Sequence, residues 1–158
     1  MLPSKVFLTK GVGKHKEKLA SFELALRDAG IADYNLVRVT SILPPHAQLL
    51  SKEEGIQKLK PGQLVYCVMA ENVAHELKLI GVSLGVAIPR DKNKIGYFAE
   101  LASTNDETKN LAKKAEDLAS MILKTIVGVN VAETKSVTQV AQGESGLWTT
   151  VIASAVFC

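Results

Sequence analysis

The decapeptide LVRVTSILPP, residues 36–45, starts as a β-strand and stops abruptly. Its first four residues include three strand-forming aliphatic side chains, and two adjacent hydroxyl residues, Thr40 and Ser41, follow them. Two more aliphatic residues lead to a double proline, which ends a strand because proline cannot donate a hydrogen bond to a β-ladder. We therefore predict one strand over residues 34–43 that carries its hydroxyl pair close to a rigid end.

The rest of the sequence alternates between strand and helix patterns. Apolar stretches predict strands at residues 5–9, 63–73, 79–88, 95–102, 130–142 and 147–157, and helical periodicity predicts helices at 16–29 and 105–127, with a short helical turn within 51–59. Two helices can cover only part of a sheet of about seven strands, so we expect the α+β class, with helices layered on β-sheet. The length of 158 residues, without repeat or linker, predicts a single domain over residues 1–158.

Glycines and polar residues mark the predicted helix boundaries. The segment GVGKHK, residues 11–16, lacks the spacing of a phosphate-binding loop, and we predict a tight turn there. Gly30 and Gly128 are expected to end the two helices. Asn105 or Asp106 is expected to cap the second helix.

Composition and charge argue against several function classes. The net charge of +3 is scattered and aromatic residues make up 5%, so we expect no nucleic-acid partner. No apolar stretch is long enough for a signal peptide or a membrane span, so we expect a cytoplasmic protein without a membrane partner. The three histidines are not spaced as metal ligands, and two cysteines are too few for a metal knuckle or disulfide scaffold. We expect no metal site.

Glu23 stands among apolar residues of the first predicted helix. The expected apolar stripe consists of Leu19, Phe22, Leu26 and Ala29. A carboxylate on this face is costly unless it finds a cation or hydrogen-bond donors. Glu23 therefore either faces a bound cation or pairs locally with Arg27, four residues later.

Glu100 is the only charged residue between Ile95 and Thr104. A carboxyl group in such a strand would be poorly solvated, and its pKa would be raised. A raised pKa suits a proton donor near neutral pH. The alternative is an edge position at which Glu100 faces water.

The pair Thr40-Ser41 permits an unusual reaction. A serine hydroxyl held against the preceding carbonyl can attack it, which converts the peptide bond into an ester. β-Elimination then cuts the chain and leaves dehydroalanine, which hydrolyses to a pyruvoyl group and ammonia. The reaction needs a rigid exit and a donor for the oxyanion, which Asn35 could supply from six residues upstream. An ordinary strand end is the alternative.

Three segments resemble the pyruvoyl-dependent arginine decarboxylases. They are NLVRVTSILPP at 35–45, FELALRDAGI at 22–31 and VAIPRDKNKIGYFAE at 86–100. The resemblance implies cleavage between Thr40 and Ser41 into a small chain, residues 1–40, and a large chain, residues 41–158, with a pyruvoyl group made from Ser41. It also implies a layered sandwich of β-sheet flanked by helices, assembled as trimers with active sites between subunits.

The resemblance further implies that L-arginine is decarboxylated to agmatine. Asn35 would support self-processing and Glu100 would donate the proton, while Glu23 would face the substrate guanidinium. Leu26 and Ile42 would line the pocket.

Two positions depart from the family pattern. Thr40 stands where serine is usual, and Glu23 stands where aspartate is common. Two alternatives therefore remain open: a pyruvoyl decarboxylase for another amino acid, such as aspartate or histidine, and a trimeric binding protein that does not cleave.

Overall fold

The computed structural model describes all residues, Met1–Cys158, and contains nine strands, three α-helices and one π-helical segment. The strands are β1 (Lys5–His15), β2 (Asn35–Arg38), β3 (Ile42–Leu43), β4 (Gln48–Leu50), β5 (Leu64–Ala74), β6 (Leu79–Pro89), β7 (Gly96–Thr104), β8 (Val131–Gln142) and β9 (Trp148–Phe157). The helices are α1 (Lys18–Asp28), α2 (Lys52–Ile56) and α3 (Thr108–Met121), and α3 continues as a π-helix over Ile122–Val127. None of the helices has the length and apolar character needed to cross a membrane.

The strands form two sheets that pack face to face. The first sheet has the order β2-β5-β9-β1-β4 and the second the order β3-β7-β6-β8. A cluster of 14 buried residues fills the space between them, with members from β1, β5 and β9 on one side and β6 and β7 on the other. Helices α1 and α2 cover the outer face of the first sheet, and α3 covers that of the second. The predicted α+β class, a sandwich of sheet flanked by helices, is confirmed.

The predicted tight turn at residues 11–16 is wrong, because β1 continues through this segment to His15. Its glycines serve helix packing instead. A Cβ on Gly11 would lie 2.1 Å from the carbonyl oxygen of Ala25, and one on Gly13 would lie 2.2 Å from that of Ser21. Helix α1 therefore rests directly on the backbone of β1, a distance that only glycine permits.

This close contact also changes which face of α1 is buried. The predicted stripe is wrong at Leu19, whose side chain is 79% exposed, whereas Leu26 is buried as expected. The small residues Ser21 and Ala25 are fully buried, because they face the glycines of β1. Gly30 follows the helix with a φ of 76°, the left-handed conformation expected of a residue after a helix end.

The predicted boundaries of the second helix need one correction. Neither Asn105 nor Asp106 caps α3, since Glu107 holds the N-cap position and makes no side-chain cap bond. The carboxylate of Asp106 instead accepts hydrogen bonds from Ser103 and Lys114. Gly128 ends the π-helical segment with a φ of 81°, as expected.

The most consequential correction concerns residues 34–43, which are not one strand. β2 pairs in parallel with β5 in the first sheet, whereas β3 pairs antiparallel with β7 in the second. Both β2 and β3 lie at the edges of their sheets. The chain therefore crosses from one sheet to the other at the hydroxyl pair, and the double proline ends β3 after Leu43 as expected.

Candidate active site

Thr40 is the single residue between the last hydrogen bond to one sheet and the first hydrogen bond to the other. The N–H of Val39 still donates to the carbonyl oxygen of Cys67 in the first sheet, at 2.9 Å. The N–H of Phe98 in β7 already donates to the carbonyl oxygen of Ser41, at 2.7 Å. Backbone hydrogen bonds thus hold both sides of the Thr40-Ser41 peptide bond, while Thr40 itself is exposed.

Strand alternation directs Ser41 toward the layer between the sheets. Ser41 lies two residues before Leu43, whose side chain is 2% exposed within the inter-sheet cluster. Residues two apart on a strand share a face, so Ser41 falls on this inner face. Ser41 itself is half-buried at the open edge of the sandwich.

Glu100 lies on the same inner face, close to Ser41. It follows Phe98 by two positions on β7 and pairs across the sheet with Leu84, which is fully buried. Ser41 directly precedes β3, and the hydrogen bond from the Phe98 N–H to its carbonyl oxygen continues the β3–β7 register by one position. Ser41 therefore lies opposite Phe98 and diagonal to Glu100.

The surroundings of Glu100 raise its pKa above the ordinary value, and desolvation by neighbouring atoms is the largest cause. The positive charge of Arg38 acts in the opposite direction with a smaller effect. The raised pKa agrees with the expectation from the sequence. Glu100 is nevertheless exposed in the single chain, which agrees with the alternative that it faces water at an edge position.

Arg38 is a residue near the site that the sequence did not single out. Its guanidinium pairs with the carboxylate of Glu71 at 2.6 Å and lies 6.0 Å from the ring centroid of Phe22 on α1. The signal in the sequence was a cation in the otherwise apolar strand LVRV, two residues before the hydroxyl pair. Arg38 therefore ties the last residues before the crossing to α1 and β5.

The single chain does not bring Asn35 to Ser41. Asn35 begins β2, and its side-chain amide donates to the carbonyl oxygen of Gly62 at 2.8 Å. Asn35 precedes Val39 by four positions along an extended strand, a distance of about 13 Å. Within one chain β2 runs extended between Asn35 and Ser41, and the expected role of Asn35 as an oxyanion donor stays a prediction.

Glu23 and Leu26 also lie apart from the Ser41 of their own chain, because α1 occupies the outer face of the first sheet. The carboxylate of Glu23 pairs with Arg27 at 2.8 Å, so the local pair considered from the sequence is present. Leu26 is 8% exposed and packs in the cluster between α1 and the sheet. Ile42, by contrast, adjoins Ser41 and is 39% exposed.

The open edge beside Ser41 is apolar. Val37, Val39 and Ile42 all expose more than a third of their surface there, and both edge strands leave backbone groups without a neighbouring strand. Elsewhere in the chain, no three His, Cys, Asp or Glu side chains cluster in a way that could hold a metal ion. The functional groups at the crossing are therefore a hydroxyl, a backbone donor and a carboxyl of raised pKa.

Known proteins are similar in sequence to this chain over nearly its whole length. A family model described as pyruvoyl-dependent arginine decarboxylase matches residues 5–158. The chain is 43% identical, over an alignment of 178 positions, to the pyruvoyl-dependent arginine decarboxylase of Methanococcoides burtonii, with 99% of each chain covered. It is 45% identical, over an alignment of 175 positions, to a probable pyruvoyl-dependent arginine decarboxylase of Chlorobium luteolum, with 98% of this chain and 97% of the relative covered.

A solved structure shows that the fold is shared more widely. The structure of a pyruvoyl-dependent histidine decarboxylase at pH 8 matches with a TM-score of 0.53 and 12% identity, over 63% of this chain and 52% of that chain. At this identity the similarity concerns the fold alone. The sequence matches decide the family: this chain belongs to the pyruvoyl-dependent arginine decarboxylases.

Proposed function

We propose that this protein cleaves its own chain between Thr40 and Ser41, converts Ser41 into a covalently bound pyruvoyl group, and decarboxylates L-arginine to agmatine and carbon dioxide. Membership of the family over residues 5–158 carries the proposal. The position of the hydroxyl pair supports it, because the bond to be cut lies at the crossing between two sheets that hold both of its sides.

In the first stage, the hydroxyl oxygen of Ser41 attacks the carbonyl carbon of Thr40, and the peptide C–N bond is replaced by an ester. The flanking hydrogen bonds at Val39 and Ser41 restrict the motion of this peptide, which favours a productive geometry. Asn35 supports the step by anchoring the start of β2 to Gly62. Thr40 in place of serine leaves the attacking group unchanged.

The two products, residues 1–40 and 41–158, remain one folded domain. The small chain supplies β1, α1 and β2, and β1 lies inside the first sheet between β9 and β4. Ten consecutive residues of β1 pair with β9 of the large chain. Cleavage at the crossing removes one peptide bond and none of this pairing.

The residues at the crossing fit a pyruvoyl group. Ser41 is half-buried directly before β3, its carbonyl oxygen is already hydrogen-bonded, and a carboxyl of raised pKa lies on the neighbouring strand β7. When present, the group supplies a ketone that binds the substrate amine and an acceptor for the electrons released with carbon dioxide.

Glu100 returns a proton to the former α-carbon of the substrate. Its raised pKa keeps a larger fraction of the carboxyl protonated near neutral pH than a fully solvated glutamate would have. Its position on the inner face, diagonal to Ser41, supports this role.

Glu23 binds the guanidinium group of arginine across a subunit boundary. Glu23 does not reach the Ser41 of its own chain, so a complete site needs a second copy, and we propose the trimer typical of the family. The exposed apolar edge at Val37, Val39 and Ile42 supports such an assembly. Ile42 lines the pocket beside Ser41, and Leu26 lines it beside Glu23. A cytoplasmic location is part of this proposal.

A substrate panel tests the proposal. The purified protein is incubated separately with carboxyl-labelled arginine, aspartate and histidine, and released carbon dioxide is counted while agmatine is measured by chromatography. We expect release from arginine with an equal amount of agmatine, and none from an uncut Ser41→Ala variant. Release from aspartate or histidine alone would contradict the substrate, and no release from a fully cleaved protein would contradict the activity.

A further inference from the structure

The hydrogen bond from the Phe98 N–H to the carbonyl oxygen of residue 41 joins two atoms that the proposed chemistry leaves in place. Conversion of Ser41 changes its nitrogen, its α-carbon and its side chain. Its carbonyl group stays bonded to Ile42. The N···O distance of 2.7 Å lies at the short end for such bonds, and the interaction is made by the backbone of β7 alone.

Negative charge develops on this oxygen during self-processing. After the ester has formed, the α-proton of Ser41 passes to solvent, and the electron pair of that C–H bond is shared with the adjacent carbonyl oxygen. The Cα–Cβ bond then becomes double, the bond from Cβ to the ester oxygen breaks, and Thr40 leaves as a carboxylate. A donor on the carbonyl oxygen of residue 41 lowers the barrier to this elimination.

The same oxygen accepts charge again during decarboxylation. With the pyruvoyl group in place, the carbonyl oxygen of residue 41 would take up the electron pair of the bond between the substrate α-carbon and its carboxylate as carbon dioxide leaves. The pair would return to the former α-carbon when that carbon takes up a proton. Both stages therefore require a hydrogen-bond donor at one atom.

The structure holds this donor rigidly. The Phe98 side chain is fully buried and packs edge-to-face against Phe157, with ring centroids 6.2 Å apart. On its other side β7 is paired with β6 over eight successive positions. A donor fixed in this way needs no reorganisation when charge appears.

From these contacts we propose that the backbone N–H of Phe98 stabilises the negative charge on the carbonyl oxygen of residue 41 in both stages, so that one hydrogen bond serves the formation and the use of the cofactor. The inference rests on the proposed function. It assigns a catalytic role to a main-chain group that side-chain substitution cannot remove.

The test replaces single amide bonds by esters. Phenyllactic acid in place of Phe98 removes the N–H and keeps the ring, and it can be introduced into the full chain by nonsense suppression. Lactic acid in place of Ala99 is the matched control. Successive N–H groups of a strand point to opposite sides, so the Ala99 N–H faces Gly85 of β6 and not residue 41. Each ester also makes the carbonyl oxygen of the preceding residue a weaker hydrogen-bond acceptor, and the control shares this side effect.

Chain cleavage is measured first, by mass, before any substrate is added. We expect the ester at position 98 to slow the appearance of residues 1–40 by about 10²–10³-fold. The ester between Thr40 and Ser41 should accumulate, and hydroxylamine should cut it to give a hydroxamate on Thr40 and a new N-terminal serine at residue 41. Hydroxylamine also cuts the ester introduced before residue 98, so the cut at Thr40 is read from the released mass of residues 1–40. The cleaved fraction should then show a similar loss of kcat, with little change in KM. The ester at position 99 should leave all these rates close to those of the unsubstituted protein.

Equal cleavage rates and equal kcat values for the two ester variants would overturn the inference. Failure of the proposed function is distinguishable, because it would appear in the unsubstituted protein as an uncut chain or as release of no carbon dioxide from arginine. If another amino acid proves to be the substrate, cleavage and kcat with that amino acid give the same comparison.

Discussion

Replacement of Glu100 by glutamine should separate formation of the cofactor from its use. Glutamine has nearly the shape of a protonated glutamate, so the inner face beside Leu84 should pack unchanged. Glu100 is the only carboxyl group on β7, so no neighbour on that strand can take over its proton. We expect Glu100→Gln to cleave normally and to lose about 10²–10⁴-fold in kcat, the usual contribution of a positioned general acid.

The same substitution should change the pH dependence of activity. Partial desolvation by neighbouring atoms raises the pKa of Glu100 above its ordinary value of 4.5, so the carboxyl of the folded protein loses its proton at a higher pH than a fully solvated glutamate does. Wild-type kcat should fall as the pH rises through this raised pKa. The residual activity of Glu100→Gln should lack that decline.

Stability should respond to pH with a definite sign. The folded state binds the Glu100 proton more tightly than the unfolded state does. The stability that this proton contributes is therefore fully present below pH 4.5 and is lost as the pH rises through the raised pKa of the folded state. Glu100→Gln removes this titration. Relative to wild type, the variant should therefore gain stability at pH values above the raised pKa of Glu100 and show no such gain below pH 4.5.

The assay follows cleavage by mass and carbon dioxide release under single-turnover conditions between pH 4 and pH 9, with Glu133→Gln as the control. Glu133 is exposed on β8, so its substitution makes the same chemical change away from the crossing. A Glu100→Gln protein that decarboxylates arginine as fast as the control would refute the assignment of Glu100 as the proton donor. A variant that fails to cleave would refute the separation of the two stages.

Three further substitutions test other parts of the account. Glu23→Ala should raise the KM for arginine by about 10–150-fold, as expected for a lost charge-assisted bond, with cleavage unchanged; normal steady-state kinetics would contradict the guanidinium assignment. Gly11→Ala should destabilise the protein by about 1–3 kcal/mol or more in urea unfolding at matched concentration, because its Cβ would meet the Ala25 carbonyl oxygen at 2.1 Å; an unchanged midpoint would contradict the direct packing of α1 on β1. Thr149→Val should stabilise it by about 1–3 kcal/mol in the same assay, because the fully buried hydroxyl of Thr149 has no hydrogen-bond partner; a lower midpoint would show that the hydroxyl is satisfied.

Hydrophobic periodicity predicted most elements because it reports local geometry. The long strands, α3 and the glycines that end the helices followed from residues near in sequence. The role of Gly11 and Gly13 depends on a tertiary contact with α1, at Ala25 and Ser21 respectively, which no local pattern contains. Leu19 was misjudged for the same reason, since the face that α1 buries is set by those glycines.

The candidate site was predictable in its chemistry and less so in its arrangement. The hydroxyl pair and the isolated charge of Glu100 were visible because they break apolar patterns. The crossing between sheets was not, because the segments before and after Thr40 have the same strand character although they join different sheets. The number of residues between Asn35 and Ser41 does not give their distance in space, because β2 runs extended after Asn35.

The intact mass of the purified protein under denaturing conditions shows directly whether the chain cleaves itself. We expect two chains, residues 1–40 and 41–158, with the larger lighter by one ammonia molecule than a chain that begins with Ser41. A Ser41→Ala variant should give one chain. A single wild-type chain of full mass that persists on long incubation would contradict self-cleavage, and with it the pyruvoyl group on which the proposed reaction depends.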